Sequence, residues 1–378
     1  MHLFAWVRAL DRIVLVLMTT ISLALSTSGF PPVWADTWFY QPTNLTSNIP
    51  GLALHTDPHL VNPWGIALGP QTPFWVADNA AGVTTLYDGI GEPFPPPAPL
   101  VVTIPAATSS VDHGTPTGVV FNPTADFVVT LGTNSGPSRF LFATEDGTIS
   151  GWNSQVNSAV AIRVVDNSAT GAVYKGLALA FTAAGPRLYA ANFRAGTIDE
   201  FDQNFAPVRV SGAFVDRHAP SGFAPFNVAV INGLLYVAYA QQDEDKKDDV
   251  PGVGNGFINE FDLEGHFLRR FAQRGRLNSP WGMTLAPFDF GRFGTALLVG
   301  NFGDGHILAF DPDSGSFLGQ LNDAKGHPLA IEGLWGLAFG NGNVAGPRNL
   351  LFFAAGINDE QDGLFGSIQA CDRKQGCL

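Results

Sequence analysis

Asn62-Pro-Trp-Gly-Ile-Ala-Leu68, Ser279-Pro-Trp-Gly-Met-Thr-Leu285 and Gly333-Leu-Trp-Gly-Leu-Ala-Phe339 are copies of one pattern, in which a turn and an indole lead into a glycine and an apolar run. Three further segments keep the glycine or its place and lose the indole: Pro116-Thr-Gly-Val-Val-Phe121, Tyr174-Lys-Gly-Leu-Ala-Leu179 and Pro225-Phe-Asn-Val-Ala-Val230. Aligning Gly65, Gly118, Gly176, Asn227, Gly282 and Gly336 gives spacings of 53, 58, 51, 55 and 54 residues. An apolar segment follows each copy, as in Phe74-Trp-Val-Ala-Asp78 and Leu235-Tyr-Val-Ala238. A third then opens on a glycine, as in Gly147-Thr-Ile-Ser-Gly-Trp152 and Gly256-Phe-Ile-Asn-Glu-Phe261. Weaker fourth segments include Leu100–Ile104 and Phe267–Phe271. Four short antiparallel strands repeated six times define an all-β, six-bladed β-propeller.

The last repeat runs out of chain after its third strand. The stretch Asn44-Leu-Thr-Ser-Asn-Ile-Pro50 matches the fourth strand Leu100 to Pro105 in apolar spacing and closing Ile-Pro, so it is expected to complete the last blade. Closing the ring in this way removes an open sheet edge. The expected organisation is a signal peptide over residues 1–35, one propeller domain over 36–370 and a short tail over 371–378.

Composition supports this architecture. In 378 residues, Gly 43, Pro 27 and Phe 30 stand against only 14% charged residues, which excludes a coiled coil, and 46% hydrophobic residues exclude disorder. The net charge of −13, with few lysines, repels phosphate backbones, so nucleic acid is not expected as a partner. Arg8 and Arg12 precede the apolar run Ile13–Leu25, and Val33-Trp34-Ala35 offers a peptidase site, which is the pattern of an export leader cut after Ala35. The run is short for a membrane span, so the mature chain is expected to be a monomer without a span, located in a periplasm or outside the cell. Cys371 and Cys377 are expected to pair in that oxidising setting, with two free thiols or half a metal site as alternatives.

The segments His55-Thr-Asp-Pro-His-Leu-Val-Asn-Pro-Trp-Gly65, Phe142-Ala-Thr-Glu-Asp-Gly-Thr-Ile-Ser-Gly-Trp152, Gly300-Asn-Phe-Gly-Asp-Gly305 and Gly333-Leu-Trp-Gly-Leu337 resemble an uncharacterised family of exported bacterial proteins related to NHL-repeat propellers. The resemblance spans nearly all of the mature chain and implies the fold and export; it carries no established activity. Many members end in a PEP-CTERM sorting tail, a pattern the C-terminal residues here do not match.

Because strands alternate direction, the start of each first strand and the end of each second lie on one face of the disc. At the first position stand Trp64, Thr117, Lys175, Phe226, Trp281 and Trp335. Trp64, Lys175, Trp281 and Trp335 are candidate ligand-binding residues around an axial mouth, since indole offers area and a polar edge; the alternative is that the aromatics wedge between blades as core. Lys175, where sister repeats carry aromatics, is explained equally by a salt bridge to a loop carboxylate.

The ends of the second strands give Asn79, Glu145, Asn192, Ala240, Asn301 and Gly356. Asn79, Glu145, Asn192 and Asn301 are oxygen donors of the kind Ca²⁺ or another divalent cation accepts, and they are the candidate metal ligands; the alternative is that each Asn caps a turn. His55, Asp57 and His59 precede the first blade and Asp112-His113 enters the second. His113, Asp112 and Lys175 are the candidate catalytic groups if those loops overhang the mouth. The long connection Gln241–Asn255 is a lid, a Ca²⁺-ordered loop or a plain insertion.

Three functions fit: a binding module that takes a small molecule, glycan or protein at one mouth; a divalent-metal hydrolase or lyase of the lactonase-like kind; or a scaffold binding through its rim.

Overall fold

Each repeated segment forms the first strand of a blade in a computed structural model that describes residues 37–108 and 113–377; blades 1 to 5 are four-stranded antiparallel sheets, and blade 6 is extended to six strands by the short pieces His55–Thr56, which pairs in parallel, and Gly376–Cys377. Blade 1 comprises Pro63–Ala67, Phe74–Asp78, Val83–Tyr87 and Val101–Thr103. Blade 2 comprises Pro116–Phe121, Phe140–Thr144, Thr148–Trp152 and Ile162–Asp166. Blade 3 is Tyr174–Thr182, Gly185–Asn192, Thr197–Phe201 and the short Pro207–Val208. Blades 4 and 5 begin at Phe223–Ile231 and Pro280–Leu285 and end at Phe267–Gln273 and Phe317–Gln320. Blade 6 takes Leu334–Phe339, Leu351–Ile357 and Asp362–Asp372 from the end of the chain and Trp38–Ser47 from its beginning.

The six blades form a ring with no α-helix among the described residues. None of the described helices is long and apolar enough to cross a membrane. The leader expected over residues 1–35 lies outside the described residues.

The closing strand is present but begins earlier than Asn44. It pairs in antiparallel register from Trp38 opposite Asp372 to Ser47 opposite Leu364, with a bulge between Asn44 and Thr46. Pro42 obscures it in the sequence, yet an outermost strand has no use for that N–H. Cys371 and Cys377 face each other at the seam and are joined by a disulfide. Blade 2 also carries a hairpin, Val128–Leu131 with Asn134–Pro137, that the repeat pattern did not foretell.

The middle strands are buried on both faces, which is why they read as unbroken apolar runs: Phe74–Asp78, Phe140–Thr144 and Leu297–Asn301 are buried throughout. Their side chains fill six sandwiches, one between each pair of neighbouring blades. A seventh cluster lies on the axis and joins Trp64, Phe193, Phe226, Trp281 and Trp335 from different blades.

The repeated glycine lets neighbouring inner strands approach. A Cβ on Gly65, Gly282 or Gly336 would stand 2.5 Å from the carbonyl oxygen of Thr117, Trp335 or Trp64 in the next blade. Blade 4 has Asn227 instead, and its amide turns the same contact into a hydrogen bond, 2.7 Å to the Trp281 carbonyl.

Candidate functional site

At the residue before each glycine, the pairing of first and second strands slips. Register shifts fall between Pro63 and Ile66, Tyr174 and Gly176, Pro225 and Asn227, Pro280 and Met283, and Leu334 and Leu337. A bulge re-aims the side chain it carries. Here it brings Trp64, Lys175, Phe226, Trp281 and Trp335 together across the axis.

The three indoles and the phenyl ring form a plug instead of an open aromatic ring. Trp64 stacks on Trp335 at 3.6 Å between centroids, Phe302 stacks on the Trp335 ring at 3.9 Å, and Trp281 meets Trp64 and Trp335 edge-on. Trp64, Trp281 and Trp335 are 2%, 4% and 1% exposed, so their broad faces contact each other and not solvent. Each indole N–H is used: Trp64 donates to Asn62, Trp281 to the Lys175 carbonyl and Trp335 to Glu360. Thr117, from blade 2, is also buried and donates to the Tyr174 carbonyl at 2.7 Å.

Lys175 sits against this plug. Its Nζ is 4.9 Å from the Trp64 ring centroid, 2.6 Å from Glu145 Oε1 and 3.0 Å from Asp248 Oδ1. Asn79 donates to the other Glu145 oxygen at 3.0 Å. The loop carboxylate that could account for Lys175 is therefore Asp248. The two counter-ions differ in setting, since the Glu145 side chain is 10% exposed and that of Asp248 is 60%.

Burial opposes both charges in the inner pair, and the partners outweigh it. For Glu145, burial pushes the carboxyl up, but the charges of Lys175 and Lys247 and the hydrogen bonds from Lys175 and Asn79 hold it below its ordinary range. For Lys175, burial pulls down and the Glu145 and Asp248 charges raise it. Lys175 thus stays an ammonium at neutral pH. It can bind or stabilise negative charge, and it is not a base.

The connection after Gln241 folds into a hairpin that extends the second strand of blade 4. Gln242 bridges to Asp249, Val250 N–H donates to the Gln241 carbonyl, and Gly252 N–H donates to Asn278 on blade 5. This arrangement delivers Asp248 to the mouth. Beside it a cavity of about 520 Å³ is lined by Pro251 of the hairpin, Phe302, Asp304, Glu332, Asp359 and Glu360. Burial, followed by the charge of Glu145, raises the Glu360 carboxyl. On the opposite face a funnel of about 430 Å³, lined by the first strands of the blades, reaches down to Trp281, so the plug partitions the channel.

The remaining sequence candidates separate. Of the four oxygen donors, only Asn79 and Glu145 meet. Asn192 accepts from Val173 N–H and donates to Asp199, while Asn301 accepts from Asn278 N–H and donates to Asp304 and the Arg276 carbonyl; both are committed to their own turns. Among the described residues, no group of three or more His, Cys, Asp or Glu stands where it could hold a metal ion. His113 is exposed, bonds the Gly114 carbonyl and packs over Gly82; Asp112 lies outside the described residues. His59 is tied to Asp57, which also accepts from Tyr87.

Phe302, Phe193, Glu360 and Asp248 were not singled out from sequence. A signal existed for the first two, because the residue after Asn192 and after Asn301 is aromatic in both repeats.

The fold and this axial arrangement define a six-bladed β-propeller whose channel is closed by aromatics and charged at one mouth. No family model matches the chain. It is 38% identical over 333 residues to "Uncharacterized protein R648" of Acanthamoeba polyphaga mimivirus, covering 86% of this chain and 78% of the relative. It is 35% identical to "Uncharacterized protein L690" of the same virus, covering 86% and 84%. The chain belongs to the family of these uncharacterized viral proteins. Among solved structures, a streptogramin B lyase is similar over 88% of this chain and 98% of that chain, with a TM-score of 0.48 and 12% identity.

Proposed function

We propose that this protein is an exported, NHL-like propeller that binds a small ligand at the mouth formed by Lys175, the 241–255 hairpin and the Phe302–Glu360 cavity. One observation carries the reading: a lysine 2% exposed stands in a ring position otherwise given to aromatics and a threonine, with a cavity beside it. Structural lysines are seldom buried unless paired, and the pair here includes a surface carboxylate that packing does not require.

A tryptophan-fluorescence screen of small molecules and glycans tests this reading. Ligands of the mouth lose affinity in Glu360→Gln, which lines the cavity, and keep it in Phe317→Ser, an exposed residue of the last strand of blade 5. Affinity that follows Phe317 instead would favour the scaffold function. Export is checked separately by expressing the full chain in a bacterial host and weighing the product, which is expected to start at Asp36.

A further inference from the structure

We propose that Asp248 is a built-in substitute for the ligand: its carboxylate occupies, on Lys175, the place taken by the carboxylate of a hydroxylated or amino monocarboxylic acid once the hairpin lifts. The inference rests on the mouth being a binding site.

Glu145 alone neutralises Lys175. It is close, nearly enclosed and fixed by Asn79. Asp248 brings a second carboxylate to an ammonium already paired, with the Asp249 carboxyl behind it, one oxygen of which is buried without a partner. Residues 244–248 are exposed, so lifting the hairpin tip withdraws a carboxylate that is itself 60% exposed and disturbs no apolar core. Pro251 at the base of the same hairpin walls the neighbouring cavity, so the place vacated by Asp248 lies next to that cavity.

The surroundings select the class of acid. Displacing Asp248 vacates the place of one negative charge, and a dianion would bring a second charge against Glu145 and Glu360 with nothing to compensate it. Asp304, Glu332, Asp359 and Glu360 in the cavity accept hydrogen bonds from hydroxyl or amino groups, and Phe302 offers a ring face. A sugar acid or an amino acid has this combination.

The experiment compares sodium glucuronate with neutral glucose and dianionic glucose 6-phosphate, by calorimetry and tryptophan fluorescence, on the full mature chain. Asp248→Asn is expected to tighten glucuronate about tenfold by removing the internal competitor, with little binding of the other two probes. Lys175→Met leaves Glu145 orphaned and unfolding-prone, so the loss of binding is read in Lys175→Met/Glu145→Gln, which buries no unpaired charge. Unchanged glucuronate affinity in Asp248→Asn, or a gain that survives in that background with Lys175 replaced, overturns the proposal. Glucose binding as well as glucuronate, with both lost in Glu360→Gln, overturns the carboxylate assignment and leaves the mouth reading intact. No response to any probe or library compound overturns both.

Discussion

The indole N–H of Trp281, in blade 5, donates to the carbonyl oxygen of Lys175, in blade 3, at 2.9 Å. The bond spans the axis between blades that are not neighbours. It fixes the backbone beneath the buried ammonium and ties the plug to the charged mouth.

That bond and the ring's bulk separate by substitution. Trp281→Phe keeps most of the packing and strands the Lys175 carbonyl, and should cost about 1–3 kcal/mol. Trp281→Ala also opens a cavity among Trp64, Trp335 and the funnel, and should cost about 3–5 kcal/mol. Urea unfolding of the two variants measures the difference; equal losses would mean that the hydrogen bond dominates.

The Lys175–Glu145 pair should behave as a unit. Lys175→Met leaves Glu145 a buried carboxylate without its ammonium and should cost about 3–5 kcal/mol, Glu145→Gln leaves Lys175 still paired with Asp248 and should cost less, and the double substitution should cost less than Lys175→Met alone. Glu145 is held below its ordinary 4.5, so its contribution is present above pH 4.5 and lost as pH falls through its lowered folded value. Lys175 is raised above 10.5, so its contribution is present below pH 10.5 and lost as pH rises through its folded value. Melting curves across pH should therefore flatten at both edges in the double variant.

The ring was legible in the sequence because its geometry repeats one steric demand. Inner strands that nearly touch need a residue without Cβ, and six spaced copies expose the demand even though Asn227 breaks it. What the repeat could not convey is reach between distant segments. Asn79, Asn192 and Asn301 occupy equivalent places, yet only Asn79 has Glu145 within hydrogen-bonding distance. A salt bridge was one of two readings of Lys175 in the sequence, but its partner Asp248 lies 73 residues away in a run of similar carboxylates, and only the hairpin's fold selects it. The plug was hidden for a related reason, since whether indoles line a channel or fill it depends on the bulges that turn them inward.

Asp78 has an opposite linkage. It is fully buried; Thr85 donates to one oxygen at 2.8 Å and the other has no partner. Burial, with a further contribution from the Asp57 charge, raises its carboxyl well above 3.8. The folded state therefore holds a proton there that the unfolded chain releases, and stability falls as pH rises from 3.8 towards the folded value. Asp78→Asn keeps the shape without the proton. It should stabilise the protein near pH 7 by about 1–3 kcal/mol, with the gain shrinking towards pH 4. A gain independent of pH would show that the titration of Asp78 is not its source.

Chelation tests the divalent-metal alternative. Both Glu145 oxygens already have partners, and Asn192 and Asn301 serve their turns. EDTA should leave the melting temperature unchanged, and elemental analysis should find no stoichiometric ion. An ion that is lost in Glu145→Gln would establish a metal site at this mouth.

Ring closure depends on residues far apart in sequence. Trp38–Ser47 covers the third strand of blade 6, and Tyr40 packs on Phe290 and Phe293 beside the last blade. Removing residues 37–47 uncovers the backbone of Asp362–Asp372, an exposed edge that invites another chain to pair. The truncated protein should melt lower and elute as larger species in size-exclusion chromatography. A synthetic peptide of residues 37–47 should restore the small form, because the edge accepts the same register in trans. Aggregation that this peptide does not reverse would mean that the strand matters for folding beyond covering the edge. A truncated chain that stays monomeric and equally stable would mean that the seam is held by the other three strands of blade 6 and the disulfide.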